Sequence, residues 1–355
     1  MRTLHLIRSP FNRFTQDNAS TIKFPTNSKM KHLGCDVSVG NDEVWNRKSD
    51  CFTVKRTACG LGAFADHFLP RLTLILVEDP IIRGEEISHA KILHKNGTHK
   101  SRNDDDNYLR EIIQMKDKTR NRLWKMHDQF VNSYSSPHEK EKRLYGIIES
   151  NAFFSTDENK LGLYPIAARL SHSCSPNVGY GFDGWTLRMF TVRDVQAGEE
   201  LTDCYSDVVY HSSRAFRQEY IEQKFNFHCQ CLATCRTNNF NFIKESDERR
   251  IRLKFLTMML GARSDHIKNN PVCTDLDMLL ESIHLLEVEG INHNMATLYQ
   301  FAYEIASKLN AVDVIRDKKL DTHCMSLLEV SKGRNHPVTK AFREKLLMDE
   351  VSDYK

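Results

Sequence analysis

The sequence predicts an α+β protein in which a β-rich region is followed by an all-helical C-terminal domain. Short extended runs separated by glycine and turn residues recur between residues 51 and 210, a pattern typical of small sheets. From about residue 240 onward, apolar residues return at the spacing of amphipathic helices. Between these regions lie three clustered cysteines, Cys229, Cys231 and Cys235, and this density indicates a bound metal or a redox function.

Length and composition are those of a globular protein with room for more than one domain. The chain has 355 residues, of which 40% are hydrophobic and 27% charged. Its net charge of +3, with histidines neutral, is too small to favour nucleic-acid binding as the main activity. The apolar runs are too short for a membrane-spanning helix or a secretory signal, so we expect no membrane association and reduced cysteines.

Residues 1–50 show no sustained periodicity, and we interpret them as an irregular, basic N-terminal segment. In the first 35 residues, six lysines and arginines face a single acid, Asp17. A disordered basic arm is the favoured interpretation of this composition, and a mitochondrial presequence is the alternative. Apart from that alternative, we expect a nuclear and/or cytoplasmic location.

The β-rich region between residues 51 and 210 is interrupted by a polar and then helical stretch. Extended runs cover Phe52–Val54, Cys59–Ala65 and Leu72–Glu78, and Asp79-Pro80 closes the last of them. The residues from about 83 to 150 are predicted to form an insert, which begins with a charged surface loop and continues as helix. Beyond the insert, the clearest strand is Trp185–Val192.

The region 240–355 reads as a series of helices joined by short turns. Ser246, followed by two acids, is a candidate N-cap for the first helix. A later helix is predicted to stop at Gly290, a third to span about 311–332 and end at Gly333, and a fourth to follow Pro337. Antiparallel helical hairpins of this kind are similar to tetratricopeptide repeats, although no regular 34-residue consensus recurs.

The three clustered cysteines predict a structural zinc site. Such a site takes four tetrahedral ligands, usually thiolates, and residues 229 and 231 of an extended segment point the same way. The residues themselves leave the fourth ligand open between Cys204, Cys174, His228 and an N-terminal cysteine. The alternative is three unrelated reduced thiols, which seldom lie so close together.

One further stretch is distinctive. Residues 171–177 read Ser-His-Ser-Cys-Ser-Pro-Asn, residues 198–205 read Gly-Glu-Glu-Leu-Thr-Asp-Cys-Tyr, and the cysteine cluster follows as C-x-C-x3-C. In this order the three pieces resemble SET-domain protein lysine methyltransferases. The resemblance covers about residues 52–237 and is closest to the SET-and-MYND family and related fungal SET proteins. No MYND zinc finger is apparent in the N-terminal half.

The resemblance implies a SET fold, with small sheets around a knot-like crossing, a post-SET zinc-binding segment at 211–237 and the helical domain at 240–355. It implies S-adenosylmethionine-dependent methylation of a lysine on a protein substrate, histone or non-histone. Tyr205 would be catalytic, and Phe153 and Phe225 would wall the lysine channel. Cys174 would complete the zinc site with Cys229, Cys231 and Cys235. The implied cofactor-binding residues are Gly60, Leu61, Gly62, Asn151, Ser171, His172, Tyr205 and Phe227.

These residue types suit the chemistry. A lysine amine has a pKa of about 10.4 in water and must be neutral to attack a methyl group, which desolvation in an apolar channel favours. A tyrosine hydroxyl and backbone carbonyls can then orient the amine. Each residue taken alone has a more ordinary interpretation, since lone aromatic or histidine side chains most often belong to a core. The adjacent Glu199 and Glu200 are interpreted as a structural turn before the last strand.

The sequence also departs from the family pattern. Ser171 replaces the asparagine of the motif and offers one hydrogen-bond donor instead of two. Leu72 stands at a turn where glycine is usual, Asp203 where an apolar residue is usual, and one extra residue precedes Cys235. These changes indicate a diverged member of the family. Ser171 is the main support for the alternative function, a catalytically weakened SET domain that acts as a protein-interaction module, and the retained Tyr205 and His172 oppose it. The helical domain would offer a surface to a peptide or protein partner.

Overall fold

The computed structural model describes residues 50–57, 60–83, 117–127, 146–148, 150–155, 160–231, 234–291 and 294–352. The predicted N-terminal segment therefore lies outside the described residues, except for residue 50. The predicted insert is described only in part, through one helix at Asp117–Trp124 (α1) and helical residues at 146–151 apart from 149. The α+β class is confirmed, while the predicted domain boundaries stay predictions.

Nine strands of the described residues form three small sheets, and the strands alternate buried and exposed side chains only over short stretches. The first sheet has the order β1-β2-β9-β6, the second β3-β8-β7, and the third pairs β4 with β5. The strands are β1 (Phe52–Thr57), β2 (Gly60–Ala65), β3 (Leu74–Glu78), β4 (Ala152–Ser155), β5 (Lys160–Leu163), β6 (Ser171–His172), β7 (Val178–Asp183), β8 (Thr186–Thr191) and β9 (Glu200–Asp203).

The first sheet brings distant parts of the sequence together. β2 pairs antiparallel with β9, and β9 pairs parallel with the two-residue strand β6, where Ser171 lies opposite Thr202 and His172 opposite Asp203. A parallel pair requires a crossover connection, and here the second sheet's hairpin of β7 and β8 supplies it. As a result, the distinctive segment 171–177 lies beside the end of β9, close to Tyr205.

A leucine occupies one tight turn of this region. Leu72 has a φ of 65°, in the left-handed region that favours glycine because it lacks a Cβ. Its N–H donates to the Thr191 carbonyl at 2.8 Å, and its side chain packs against the main core. The turn for which a glycine is usual is therefore formed here with a leucine.

The helical region begins with a long helix and continues to the end of the described chain. The helices beyond the sheets are α2 (Arg214–Phe225), α3 (Phe240–Ala262), α4 (Ser264–Asn269), α5 (Cys273–Val288), α6 (Met295–Lys308), α7 (Val312–Lys318), α8 (Leu320–Ser331) and α9 (Pro337–Ser352). α3 packs against α5, α5 against α6, α6 against α8, and α8 against α9. Among the described helices, none combines the length and the apolar character that a membrane span requires.

Two expectations about the helices are wrong. The first helix is capped by Asn239, whose side chain accepts from the Phe242 N–H at 3.2 Å; Ser246 instead lies within the helix and donates to the Glu289 carboxylate at 2.7 Å. The single helix predicted for 311–332 is two helices, because Lys319 takes a left-handed φ of 49° between them. The stops at Gly290 and Gly333 and the start at Pro337 are confirmed.

The helical region packs directly on the second sheet. α8 lies against β7 and β8, and Arg188 of β8 donates from Nε to the Val330 carbonyl of α8 at 3.0 Å. Gly181 of β7 is needed here, since a Cβ at that position would lie 2.6 Å from the Ser331 carbonyl oxygen. One buried hydrophobic cluster runs from the sheet side chains Phe190 and Val192 into helices α3, α5, α6 and α8.

Candidate functional site

Four cysteines meet in one buried cluster. The Sγ atoms of Cys174, Cys229, Cys231 and Cys235 all lie within 4.8 Å of one another, with Cys174 at 3.8 Å from Cys229 and 3.7 Å from Cys235. Four thiolates around a tetrahedral zinc, at a Zn–S distance of about 2.3 Å, place their sulfurs about 3.8 Å apart. The donor set and its spacing therefore fit Zn²⁺, and four ligands would leave the ion no open position.

Of the alternatives for the fourth ligand, the structure brings Cys174 to the cluster. Cys204 is instead buried with its Sγ donating to the Ser206 carbonyl at 3.3 Å, and His228 is exposed beside Glu222. The interpretation of three unrelated thiols does not fit this geometry. Cys174 comes from the loop after β6, whereas the other three follow α2, so the cluster joins segments 55 residues apart.

The local backbone explains how three ligands come from so short a segment. Asn226 ends α2 in a left-handed conformation with φ 60°, which turns the chain back toward the sheets. The N–H groups of Cys235 and Arg236 both donate to the Cys231 carbonyl at 3.1 Å. These two bonds keep Cys235 close to Cys231.

A buried arginine holds the loop that carries Cys174. Arg250 of α3 is fully buried and donates from Nη2 to the Cys174 carbonyl and from Nη1 to the Val209 carbonyl, each at 3.0 Å. Its Nε donates to the Glu289 carboxylate at 2.7 Å, and Arg249 donates to the other oxygen of that carboxylate. The helical region therefore holds the backbone of the Cys174 loop through a hydrogen bond from Arg250, whose own position is fixed by its ion pair with Glu289.

An aromatic cluster formed by His172, Tyr205, Phe225 and Phe227 lies beside the cysteines. The Tyr205 ring centroid is 5.2 Å from that of His172, 5.5 Å from Phe225 and 6.3 Å from Phe227. His172 and Phe227 are 6.0 Å apart. Tyr205 is 38% exposed, so the cluster is open to an incoming molecule on the tyrosine side.

The Tyr205 hydroxyl has a fixed orientation. It donates to the Leu170 carbonyl at 2.8 Å, a carbonyl that ends the short 3₁₀ turn before β6. Burial, followed by the charges of Asp203 and Glu200, raises the pKa of Tyr205 above its ordinary value, with Arg169 acting in the opposite direction. The tyrosine is therefore a neutral phenol at physiological pH, and its oxygen keeps lone pairs for a substrate.

His172 connects the aromatic cluster to the cysteine cluster. Its Nδ1 accepts from the Tyr205 N–H at 3.2 Å, and its Nε2 lies 3.5 Å from the Cys174 sulfur. Burial lowers the pKa of His172 to about 4, while a charge on Cys231 raises it and Arg217 lowers it further. Because Nδ1 accepts a hydrogen bond, the neutral ring carries its proton on Nε2, which lies beside the Cys174 sulfur.

The remaining candidate cofactor residues lie on β2 and β6. Gly60 has a φ of 122° and is exposed, as is Leu61. Gly62 is buried, and a Cβ there would lie 2.6 Å from the Glu200 Oε1. The Ser171 hydroxyl donates to the same oxygen at 2.6 Å. The sequence analysis placed Glu200 in a structural turn and missed its contact with Ser171.

Two of the predicted site residues lie apart from the aromatic cluster. Phe153 of β4 packs edge-on against Tyr180 at 5.3 Å and Tyr164 at 6.0 Å, and in the described residues its ring contacts do not include Tyr205. The buried Asn151 amide donates to the His127 and Ile147 carbonyls at 2.7 and 2.6 Å. Its two N–H donors are therefore used within the fold.

Glu199 agrees with its interpretation as part of a structural turn. Its carboxylate accepts from Arg193 at 2.5 Å, from the Gln196 N–H at 3.0 Å and from the Asn177 amide at 3.1 Å. Asn177 in turn donates to the Glu200 carbonyl and accepts from the Thr202 N–H. These bonds attach the end of segment 171–177 to β9.

Comparisons with known proteins agree with this geometry. The SET domain family matches residues 60–206. "Histone-lysine N-methyltransferase set5" of Schizosaccharomyces pombe is 29% identical over 201 residues, which cover 55% of this chain and 53% of that protein. "N-lysine methyltransferase SMYD2-B" of Danio rerio is 30% identical over 196 residues, covering 53% of this chain and 43% of that protein.

The chain thus spans about half the length of these curated relatives, or less. A solved structure described as "Structure of Rubisco LSMT bound to AdoMet" overlaps 58% of this chain and 61% of that chain at 14% identity. Its TM-score of 0.34 is too low to add to the assignment.

The family match and the small sheets with their helical region confirm the predicted fold. Residues 60–206 form a SET domain, and the chain resembles the SET-and-MYND lysine methyltransferases and their fungal relatives.

Proposed function

We propose that this protein transfers a methyl group from S-adenosylmethionine to a lysine side chain of a protein substrate, histone or non-histone. The observation that carries the proposal is Tyr205, a half-exposed tyrosine whose hydroxyl is fixed on the Leu170 carbonyl inside a SET domain. The relatives named as lysine methyltransferases support it.

The residues around Tyr205 fit S-adenosylmethionine. When bound, the cofactor would supply a methyl group on a positively charged sulfur. Phe227, half-buried beside His172, offers a ring face for the adenine. The strand Gly60–Gly62 offers backbone next to β9 and near β6. At Gly60 no atom of the described residues beyond its chain neighbours lies within 4 Å of the position that a Cβ would take, whereas at Gly62 that space is filled by Glu200.

The chain's own side chains would prepare the lysine. The half-buried ring of Phe225, 5.5 Å from Tyr205, is an apolar wall that disfavours a charged ammonium and so lowers the pKa of an entering lysine. The neutral Tyr205 hydroxyl and the Leu170 carbonyl would orient the amine. Phe153 stays our prediction for a second wall of the channel.

We further propose that Cys174, Cys229, Cys231 and Cys235 bind one structural Zn²⁺. Its role would be to hold the post-SET segment, with Phe225 and Phe227 just before it, against segment 171–177. His172, between the cluster and the Tyr205 N–H, would transmit that fixed position to the tyrosine.

The alternative function, a SET domain weakened into an interaction module, is not favoured. Its main support was Ser171, whereas the arrangement of Tyr205, His172 and the two phenylalanines is intact. A peptide or protein partner on the helical region stays a prediction.

Calorimetry on the purified chain with S-adenosylmethionine is the first test, and we expect binding at micromolar cofactor. Transfer of a tritiated methyl group to mixed histones and to a cell lysate then tests the reaction, with Tyr205→Phe as the control that should lose it. Absence of binding at millimolar cofactor would sink the proposal.

A further inference from the structure

The carboxylate of Glu200 lies between the two elements that the proposed function assigns to the cofactor. Its Oε1 accepts from the Ser171 hydroxyl of β6 at 2.6 Å. The same oxygen occupies the space that a Cβ at Gly62 of β2 would need, at 2.6 Å. The Glu200 carboxylate therefore fills the space beside the Gly62 backbone, and its charge lies against backbone that carries no side chain.

The other carboxylate oxygen of Glu200 is available. Within the described residues, Oε2 has no hydrogen-bond partner, although an ionised carboxylate can accept about four bonds. Glu200 is half-buried, and the residue that it contacts, Ser171, directly precedes His172 of the aromatic cluster. The charge of Glu200 also contributes to the raised pKa of Tyr205. The neighbouring Glu199 is the opposite case, with three donors on its carboxylate.

We propose that Glu200 binds the α-ammonium group of the methyl donor, and that Ser171 orients the carboxylate for this contact. The inference rests on the proposed function, since it assigns a ligand group to the same site. An ammonium carries three N–H donors that can satisfy the open lone pairs of Oε2. The sulfonium of the donor has no N–H or O–H, so it cannot replace the ammonium in this contact.

This arrangement accounts for the serine at position 171. The Ser171 side chain is short enough for its hydroxyl to donate to Glu200. The contact with the cofactor that the asparagine amide of the family motif would make is then made by the Glu200 carboxylate, on the neighbouring strand β9. The change at 171 is then an exchange of one polar contact for another and does not by itself weaken the donor site.

The test compares three ligands that differ in their charged groups. S-Adenosylmethionine has the α-ammonium, the α-carboxylate and the sulfonium, S-adenosylhomocysteine has the α-ammonium and the α-carboxylate, and 5′-methylthioadenosine has none of the three. Removing the negative charge of Glu200 cannot weaken the binding of the ligand carboxylate, so a loss of affinity shared by the first two ligands alone reports on the ammonium. Dissociation constants are measured by calorimetry for the wild-type chain, Glu200→Gln and the matched control Glu199→Gln, with thermal midpoints as the check on folding. A hydrogen bond to a charged group predicts that Glu200→Gln weakens both ammonium-bearing ligands about tenfold.

Under the proposal, Glu200→Gln leaves the affinity for 5′-methylthioadenosine unchanged, and Glu199→Gln leaves the ratio between the ligands unchanged. An equal loss for all three ligands would mean that Glu200 only shapes the site, and a loss for S-adenosylmethionine alone would mean that the sulfonium is recognised; either result overturns the inference. If Glu200→Gln does not fold, Ser171→Ala must weaken S-adenosylhomocysteine relative to 5′-methylthioadenosine.

The failure of this inference is distinguishable from the failure of the proposed function. If the wild-type chain binds none of the three ligands, the methyltransferase proposal fails and the inference with it. If the wild-type chain binds S-adenosylhomocysteine more tightly than 5′-methylthioadenosine and Glu200→Gln preserves that ratio, the function stands and only the role of Glu200 is wrong.

Discussion

Ser171 and Cys174, the two ends of the stretch 171–174, lie in opposite surroundings although only two residues separate them. At the Cys174 end, the sulfur meets three other thiols and the carbonyl is held by the buried Arg250. At the Ser171 end, the hydroxyl bonds a single half-buried carboxylate that has an oxygen to spare. His172 lies between the two ends and contacts both Cys174 and the Tyr205 backbone.

The difference is one between residues that hold the loop in place and residues that can bind a ligand. A buried polar group must have its partners within the fold, because an unpaired one costs about 1–3 kcal/mol. A binding site must instead keep lone pairs and ring faces open for a ligand, and it is stable only if its backbone is held from elsewhere. Here the cysteine cluster and Arg250 hold the loop, so that Ser171, Glu200 and Tyr205 can stay partly unengaged.

Removing one ligand of the cysteine cluster should have the largest effect. Structural zinc sites contribute on the order of 10 kcal/mol to folding, so Cys231→Ser should lose the metal and loosen the segment that carries Phe225 and Phe227. Metal analysis of the wild-type chain should give about one zinc per molecule. We expect the variant to show less zinc, a much lower thermal midpoint and no methyl transfer.

The matched control for that experiment is Cys273→Ser, a cysteine that is exposed and lies outside the cluster. It should keep zinc, stability and activity. A wild-type preparation that is free of metal and still stably folded would contradict the four-cysteine site.

The second largest loss of stability should come from removing Arg250, through which the helical region holds the Cys174 loop. Arg250→Met leaves Glu289 buried without its main partner and frees the Cys174 and Val209 carbonyls. Breaking a buried ion pair costs about 3–5 kcal/mol, which denaturant unfolding should detect as a lower midpoint. Arg252→Met on the same helix removes an exposed pair with Glu281 and should change little. Equal effects of the two variants would argue against a special role of Arg250.

How much of this could be predicted from the sequence depends on how far apart the contacting residues are. The small sheets, the helix stops at Gly290 and Gly333 and the start at Pro337 follow from local patterns and are confirmed. Ser246 was misassigned as a cap because its partner, Glu289, lies 43 residues away. The break at Lys319 was missed because a left-handed lysine has no composition signal.

In the candidate site, too, the sequence did not predict the contacts between residues that lie far apart along the chain. Cys229, Cys231 and Cys235 are visible as a cluster in the sequence, but Cys174 was selected only through the family resemblance. Glu200 was assigned to a turn because nothing near it in the sequence indicates that its carboxylate reaches Ser171, 29 residues away. Long-range polar contacts of this kind depend on the register of β6 and β9, which period and composition do not fix.

Among the residues that would contact the substrate, removal of the Tyr205 hydroxyl should reduce catalysis without affecting the cysteine cluster or the stability of the fold. Loss of one group that orients the reacting atoms lowers kcat by about 10²-fold or more. We therefore expect Tyr205→Phe to keep its zinc and its thermal midpoint while methyl transfer falls by that amount. Tyr220→Phe is the matched control, since its hydroxyl bonds Ser206 at 3.0 Å and lies outside the cluster. An active Tyr205→Phe variant would require another group in the catalytic role.

The smallest expected effect concerns Glu199, whose carboxylate accepts three hydrogen bonds, in contrast to the adjacent Glu200, whose carboxylate accepts one in the part of the chain that the structure describes. Although burial alone would raise the pKa of Glu199, hydrogen bonds from Arg193, Gln196 and Asn177 outweigh it and hold that pKa below its usual value of 4.5. A carboxyl group with a lowered folded-state pKa stabilises the fold above its unfolded-state pKa. That contribution is lost as the pH falls through the folded-state value, so it concerns the acid side, below about pH 4.5.

Glu199→Gln should therefore flatten the dependence of unfolding free energy on pH in that acid range and lower stability slightly at neutral pH. Because the pair with Arg193 is largely solvated, screening limits the difference to about 1 kcal/mol or less. Denaturant midpoints measured from pH 3 to pH 7, with the exposed Glu219→Gln as the control, test the expectation. If Glu199→Gln and Glu219→Gln gave parallel curves, the turn at Glu199 would add nothing to the attachment of segment 171–177, and the support would come from the cysteines and Arg250 alone.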